Sequence, residues 1–405
     1  MKKALSHILS FVLGVMFLAS CSWICPEEIP IRRVFVMYAA AYSNLSESIR
    51  EDVEELSEGQ LPTLNSGDVV LIYSHFAGPG NNTSIPTESA LYRIYKDKSG
   101  STVRDTLQVY PATEISGSAA MLNKVLTQVK ELYPSPSYGM LFSSHAKGWL
   151  PVDYKETGSS FFGPRRSPYN GPEKEYPLTK EIGIEFVDGS GIDIRDFADA
   201  IPMKLDFCIM DACLMGCVEV AYELKDKCDL LLVSPTEILS NGMVYTTMGP
   251  KLFNVAQPDL KGICKEYFDY YKAQSGYYQS ATITLVDCPR TEELAKTCAA
   301  IVSAHRDGLA TTDRKSVQPY FYNNLHWFYD LRDLMEKAGA DEAEMSALDS
   351  ALGNCIVYKA ATDTFFDLEL ISVCGLSVYF PNSAWSNLND YYKTLAWNKA
   401  THLVQ

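Results

Sequence analysis

The run "LDFCIMDACLMGC" (205–217) carries three cysteines, Cys208, Cys213 and Cys217, and two aspartates, Asp206 and Asp211. Thiols this dense could ligate a metal, pair as disulfides, line a core or supply a nucleophile. Metal binding fits poorly. The sulfurs are spaced five and four residues apart across an expected strand-to-helix junction, so they point in different directions, and no paired histidines lie nearby. Cys208 lies inside an apolar run and reads as a core thiol. Cys217 falls in the first turn of the expected helix beside Val218, Val220 and Ala221, and also reads as buried. Cys213 alone sits at the junction, where helix amides favour thiolate over thiol. A free thiol titrates near about 8.5, so a nucleophile at neutral pH needs such help. A base is also required. Two histidines follow apolar runs directly, His75 in "VVLIYSHF" and His145 in "MLFSSHAKGW". Ala146, Lys147 and Gly148 after His145 let a peptide backbone approach, whereas Phe76 crowds His75, so His145 is the better candidate. If adjacent strands bring Cys213 and His145 together they form a dyad; otherwise both are structural. A Ser-His-Asp site lacks its G-x-S-x-G elbow.

Such a dyad needs a sheet to hold it. Six apolar runs read as buried strands: 32–41, 67–76, 138–149, 205–213, 228–235 and 280–288. Their continuous apolarity suggests strands covered on both faces, as in a largely parallel sheet. Helical spacing marks 43–58 (Leu45, Ile49, Val53, Leu56) and 116–134 (Met121, Val125, Val129, Leu132), with further helices at 193–202 and 216–227. Strand and helix alternate, so the fold class is α/β. Ligand sites in open α/β sheets gather at the carboxyl ends of strands, where Cys213 and His145 both fall. Two segments break the alternation. Positions 150–180 are rich in Pro, Gly, Ser and charge and read as a long exposed loop. Helices dominate from 253 to 405, read as a C-terminal subdomain that returns a strand near 371–381 to the catalytic domain of 31–252.

The N-terminus reads as an address. Lys2 and Lys3 precede an apolar run from Ile8 to Leu18, too short to span a membrane, and residues 1–20 read as a signal peptide. "LASC" resembles a bacterial lipobox, which would lipidate Cys21 and make 21–30 a tether. An ordinary secretory signal cut near Ser20 is the alternative. Lipidation would place the chain in the bacterial cell envelope, anchored to a membrane. The net charge of -15 argues against a nucleic-acid partner. The eleven cysteines include no CxxC pair, and a chain this long needs no disulfide framework.

Four stretches resemble the clostripain-type cysteine peptidases, a family related in fold to caspases, legumains and gingipains: "VFVMYAAAYSNL", "LFSSHAKGWLP", "DFCIMDACLMGCVEVAYEL" with "LLVSPTEILSNGMVY", and "GLSVYFP". The resemblance implies a caspase-like three-layer α/β/α sandwich, with Cys213 as nucleophile and His145 as its acid/base partner. It implies acyl transfer through a thioester, the oxyanion being held by the amides of Cys213 and Ala146. Asp211 would face a basic P1 residue, Arg or Lys; a structural acceptor for loop amides is the alternative. Two departures stand out: Ala146 replaces a usual glycine, and Tyr42 follows the alanines where an aspartate is usual. Family members are commonly zymogens that cut themselves between the two motifs. The loop offers Lys155, Arg165, Arg166, Lys174 and Lys180, and self-cleavage is expected near Arg165–Arg166, unless the loop is an unprocessed insertion. The expected partners are protein or peptide substrates and the membrane. No cofactor is required; calcium stays open, since no EF-hand-like run is present. The competing reading is a surface lipoprotein of the same fold that binds without cutting.

Overall fold

The computed structural model describes residues 29–152, 177, 179–180, 191–321 and 327–405. Nine strands form one sheet: β1 (Arg33–Ala41), β2 (Asp68–Phe76), β3 (Ser89–Lys96), β4 (Thr102–Tyr110), β5 (Tyr138–Ser143), β6 (Leu205–Asp211), β7 (Cys228–Val233), β8 (Thr282–Asp287) and, after the short β9 (Tyr329–Asp330), β10 (Ile356–Ala361). Their order is β10-β8-β7-β6-β5-β1-β2-β3-β4. The five strands from β7 to β2 run parallel, and the pairs at both edges are antiparallel.

β1 shows why the centre is parallel. All nine of its residues are buried, so both faces must be covered. Alternate side chains feed two cores, as the strand period of two requires. Val34, Val36 and Tyr38 pack on one face with the helix α2 (Ala119–Leu132), through Met121, Val125 and Val129. Phe35, Met37 and Ala39 pack on the other with α1 (Ser46–Glu58), through Ile49, Val53 and Leu56. A sheet between two helical layers results. The helix α3 (Ile194–Ala200) adds Phe197 to the first core, and α4 (Val218–Glu223) follows β6 there.

The edge hairpin β3–β4 escaped the sequence reading because its strands carry a solvent face rather than continuous apolar runs. β8 lies where a strand was expected but runs antiparallel, since apolarity carries no strand direction. The C-terminal part joins the main sheet through β8 and β10. The segment expected to return a strand near 371–381 instead forms β13 (Ser377–Val378), following the small hairpin β11–β12 (Thr364–Phe365, Leu368–Glu369). β13 pairs with β9 outside the main sheet. Its Ser377 amide reaches Gly216 O at 2.9 Å, so this segment buttresses the loop after Cys213. Residues Ile31–Gln405 form one compact unit.

Candidate active site

β5 and β6 are parallel neighbours whose last residues, Ser143 and Asp211, are partners in register. His145 and Cys213 each lie two residues beyond, at the carboxyl edge of strands about 4.8 Å apart. β1 flanks β5 on the other side, and the chain leaving it carries Asn44, whose Oδ1 accepts from His145 Nε2 at 2.7 Å. That bond makes Nε2 the protonated nitrogen and turns Nδ1 into the basic one. His75, by contrast, is engaged structurally. Its two ring nitrogens meet Ser116 Oγ at 3.1 Å and Thr87 O at 2.9 Å, and its ring stacks on Tyr42.

Cys213 is not at a helix start, contrary to the sequence expectation. The helix α4 begins only at Val218, with Cys217 as its N-cap, so Cys213 stands four residues before that cap rather than at it. Leu214 turns the chain out of the strand with φ 61°, a left-handed conformation that costs a non-glycine residue about 1 kcal/mol or more. The loop is pinned against 234–238: Leu214 N–H reaches Thr236 O at 3.0 Å and Gly216 N–H reaches Ser234 O at 2.8 Å. The fit is so close that a Cβ at Gly216 would lie 2.3 Å from Pro235 N. This pinning supplies the donor the helix does not, since Ile238 N–H points at Cys213 Sγ from 3.2 Å. Cys208 and Cys217 are fully buried, and burial pushes both thiols up. No disulfide joins the nine described cysteines.

The group lodged against this site is Lys180. Thr179 bridges antiparallel to Leu239, and Lys180 N–H donates to Ile238 O at 2.8 Å, as in a strand added to an edge. The Lys180 carbonyl accepts from two amides, Cys213 N–H at 3.1 Å and Ala146 N–H at 3.3 Å. Its side chain is fully buried. Nζ donates to Asp52 Oδ2 at 2.6 Å, to Asp211 Oδ2, and to Ser143 Oγ at 3.4 Å. Asp211 Oδ2 also accepts from Ser143 Oγ at 2.9 Å and from Tyr245 O–H at 2.5 Å. Gly242 closes the pocket with φ 63°; a Cβ there would stand 2.7 Å from Lys180 Nζ. Burial alone would lower the Lys180 ammonium, but the carboxylates of Asp211 and Asp52 outweigh it and hold it above its ordinary value. Burial, with the neighbouring Asp211 charge, holds the Asp52 carboxyl above its ordinary value, and the Lys180 ammonium at 2.6 Å is the group that draws it toward the charged form.

The structure therefore brings Cys213, His145, Ala146 and Asp211 around one peptide unit, that of Lys180. Asp211 meets a cation and two hydroxyls rather than loop amides. Arg165, Arg166 and Cys21 lie outside the described residues. Three participants escaped the sequence reading. Asp52 had a visible signal, a carboxylate three residues after Ile49 on the apolar face of α1. Lys180 was one of five loop cations with nothing local to single it out, and Asn44 had no signal. A small cleft beside the ring is lined by Phe142, His145, Leu150, Ile192, Phe197 and Met215. Among the described residues, no group of three or more His, Cys, Asp or Glu side chains is placed to hold a metal.

Comparison with known proteins matches residues 37–162 and 169–403 to the clostripain family. Among solved structures, the chain is similar to an inactive zymogen C11 protease from Parabacteroides distasonis, at 25% identity and a TM-score of 0.73, covering 91% of this chain and 97% of that one. A secreted C11 cysteine protease from Bacteroides thetaiotaomicron, "iotapain", shares the fold at 22% identity and a TM-score of 0.73, with 92% and 100% covered. A structure of a secreted C11 cysteine protease from the same species, in complex with an irreversible peptide inhibitor, superposes with a TM-score of 0.72 at 24% identity, covering 91% and 98%. The chain matches no curated protein.

Proposed function

The chain belongs to the clostripain family of cysteine peptidases, and from that premise we propose an endopeptidase that cuts after a basic residue, Lys or Arg, and first cuts itself after Lys180. One observation carries the reading: Lys180 sits as a substrate's P1 residue would, its carbonyl on the amides of Cys213 and Ala146 and its ammonium on Asp211. The self-cleavage expected near Arg165–Arg166 from the family resemblance falls instead at the Lys180–Glu181 bond, because Lys180 is the cation that meets the site.

In the proposed step, Cys213 Sγ attacks the P1 carbonyl carbon. The carbonyl oxygen becomes an oxyanion that keeps its two amide donors, which strengthen as charge develops. The C–N bond then breaks, and His145, having taken the thiol proton on Nδ1, returns it to the departing amine. Water activated by the same ring hydrolyses the thioester and frees the thiol. Ala146 serves here as well as glycine would, because only its N–H is used. Until the bond is cut, Lys180 fills the pocket that a second substrate needs, which makes the uncut chain a zymogen. The chain is exported, and lipidated Cys21 anchors it to a membrane of the bacterial envelope; radiolabelled palmitate should enter wild type and not Cys21→Ser.

The test of the cut is a gel of wild type beside Cys213→Ala, with N-terminal sequencing of the smaller fragments. Wild type should yield a fragment beginning at Glu181, at a first-order rate unchanged by dilution, because the chain sits in its own site. Cys213→Ala should stay whole. A fragment beginning after Arg165 or Arg166, or equal cleavage of both proteins, overturns the reading.

A further inference from the structure

We propose, resting on the reading above, that Asp52 makes this a lysine site, so that lysine is selected over arginine at P1. Asp52 comes from α1, remote in sequence from both strand-end motifs, and it is nearly fully buried on the face that also carries Ile49, Val53 and Leu56. Among the described residues, its carboxylate has one hydrogen-bond partner, Lys180 Nζ. Without a cation this buried carboxyl would give up its charge and take a proton. With Lys180 Nζ at 2.6 Å its charged form has a partner, which points to a pocket built for a cation.

Geometry then decides which cation. In lysine and arginine alike, five bonds separate Cα from the terminal centre, Nζ in one and the guanidinium carbon Cζ in the other. Arginine therefore puts a carbon where Lys180 Nζ lies and extends its nitrogens one more bond, about 1.3 Å, outward. Asp52 Oδ2 stands only 2.6 Å from that point, and a Cβ on Gly242 would be 2.7 Å away on another side. For a guanidinium to make ordinary bonds of about 2.7–2.9 Å, the carboxylates would have to retreat by roughly 1 Å. The buried apolar residues of α1 hold it against the sheet, so for Asp52 such a retreat requires a change of side-chain rotamer in a buried pocket. An ammonium fits without adjustment: its three protons are met by Asp52, Asp211 and Ser143. The compact point charge is favoured over the planar fork.

The test is a cycle on self-cleavage. Wild type, Lys180→Arg, Asp52→Ala and the double variant are translated in a cell-free system, pulse-labelled and sampled on gels, with Cys213→Ala as the uncut control. Lys180→Arg is expected to cut at least tenfold more slowly than wild type. Asp52→Ala should slow the cut after Lys180 about tenfold or more, yet leave the Lys180→Arg chain no slower, because it opens room for the guanidinium. Equal rates for wild type and Lys180→Arg, or the same slowing of both chains by Asp52→Ala, overturn the proposal. Should Asp52→Ala lose its thermal transition, the wild type against Lys180→Arg comparison still decides, as does kcat/KM of the processed enzyme on peptides differing only in Lys or Arg at P1. Cleavage of neither peptide and of no chain would instead sink the peptidase reading.

Discussion

Asp211→Asn removes one of the two carboxylates that face the Lys180 ammonium while keeping the side chain's shape. In the structure Asp211 Oδ2 accepts from Lys180 Nζ, Ser143 Oγ and Tyr245 O–H together. An asparagine amide offers at most one acceptor there and turns an N–H₂ toward the ammonium or the two hydroxyls. Losing one partner of a buried, hydrogen-bonded charge pair costs ~2–5 kcal/mol, or about 30- to 5,000-fold in rate. Asp52 remains at 2.6 Å and keeps the ammonium partly compensated, which places the loss at the lower end, roughly 30- to 100-fold. The assay is the first-order rate of self-cleavage after pulse labelling, accompanied by the rate at which iodoacetamide alkylates the Cys213 thiol once the chain is processed in trans. The charge argument requires cleavage to slow by that factor while alkylation changes less than about twofold. A loss under fivefold, or an equal fall in alkylation, would refute it, because the carboxylate would then act on the nucleophile rather than on the P1 side chain.

Asn44→Ala deletes the acceptor on His145 Nε2 and should lower kcat about five- to tenfold with KM unchanged, as steady-state kinetics on a Lys peptide would report. Gly242→Ala puts a methyl 2.7 Å from the Lys180 ammonium at φ 63°, so self-cleavage should fall at least a hundredfold and the thermal midpoint should drop slightly; an unchanged cut would contradict the pocket described. Glu219 is wholly buried behind the Cys213 loop, where burial pushes its carboxyl up to about 7 against hydrogen bonds from Tyr392 O–H and Tyr379 N–H. Its folded value lies above its unfolded one, so its contribution is full below about pH 4.5 and is lost as pH rises through 7. Glu219→Gln should therefore flatten that fall by ~2.5 kcal/mol between pH 5 and 8, measured as urea midpoints of the Cys213→Ala protein.

Much of the frame was legible because it follows from burial. The strands β1, β2 and β5 are buried almost throughout, β6 and β7 except near their starts, and the faces Ile49–Val53–Leu56 and Met121–Val125–Val129 pack as their spacing requires. Leu132, at the helical spacing of the second face, is half exposed at the helix's last residue, where the turn before Pro134 lets the chain leave the sheet. The β3–β4 hairpin went unseen because an edge pair with a solvent face has no continuous apolar run. The helix expected to begin beside Cys213 starts at Val218, because Leu214 and Gly216 are diverted to pair with the chain after β7.

Residue type and local order by themselves determined which groups could do chemistry here. A thiol and an imidazole just past two apolar strands, with Asp211 two residues before the thiol, are properties of short contiguous stretches. Only the tertiary structure decided what those groups face. Asp52 enters from α1, Asn44 from just past β1, and Lys180 from the segment between the histidine and cysteine motifs, and no local pattern relates any of them to Cys213. The physical reason is that strand order β6-β5-β1 is set by the packing of the whole sheet. Lysine's carbonyl and ammonium find their partners only after that sheet has aligned two strand ends and one helix around a single peptide unit.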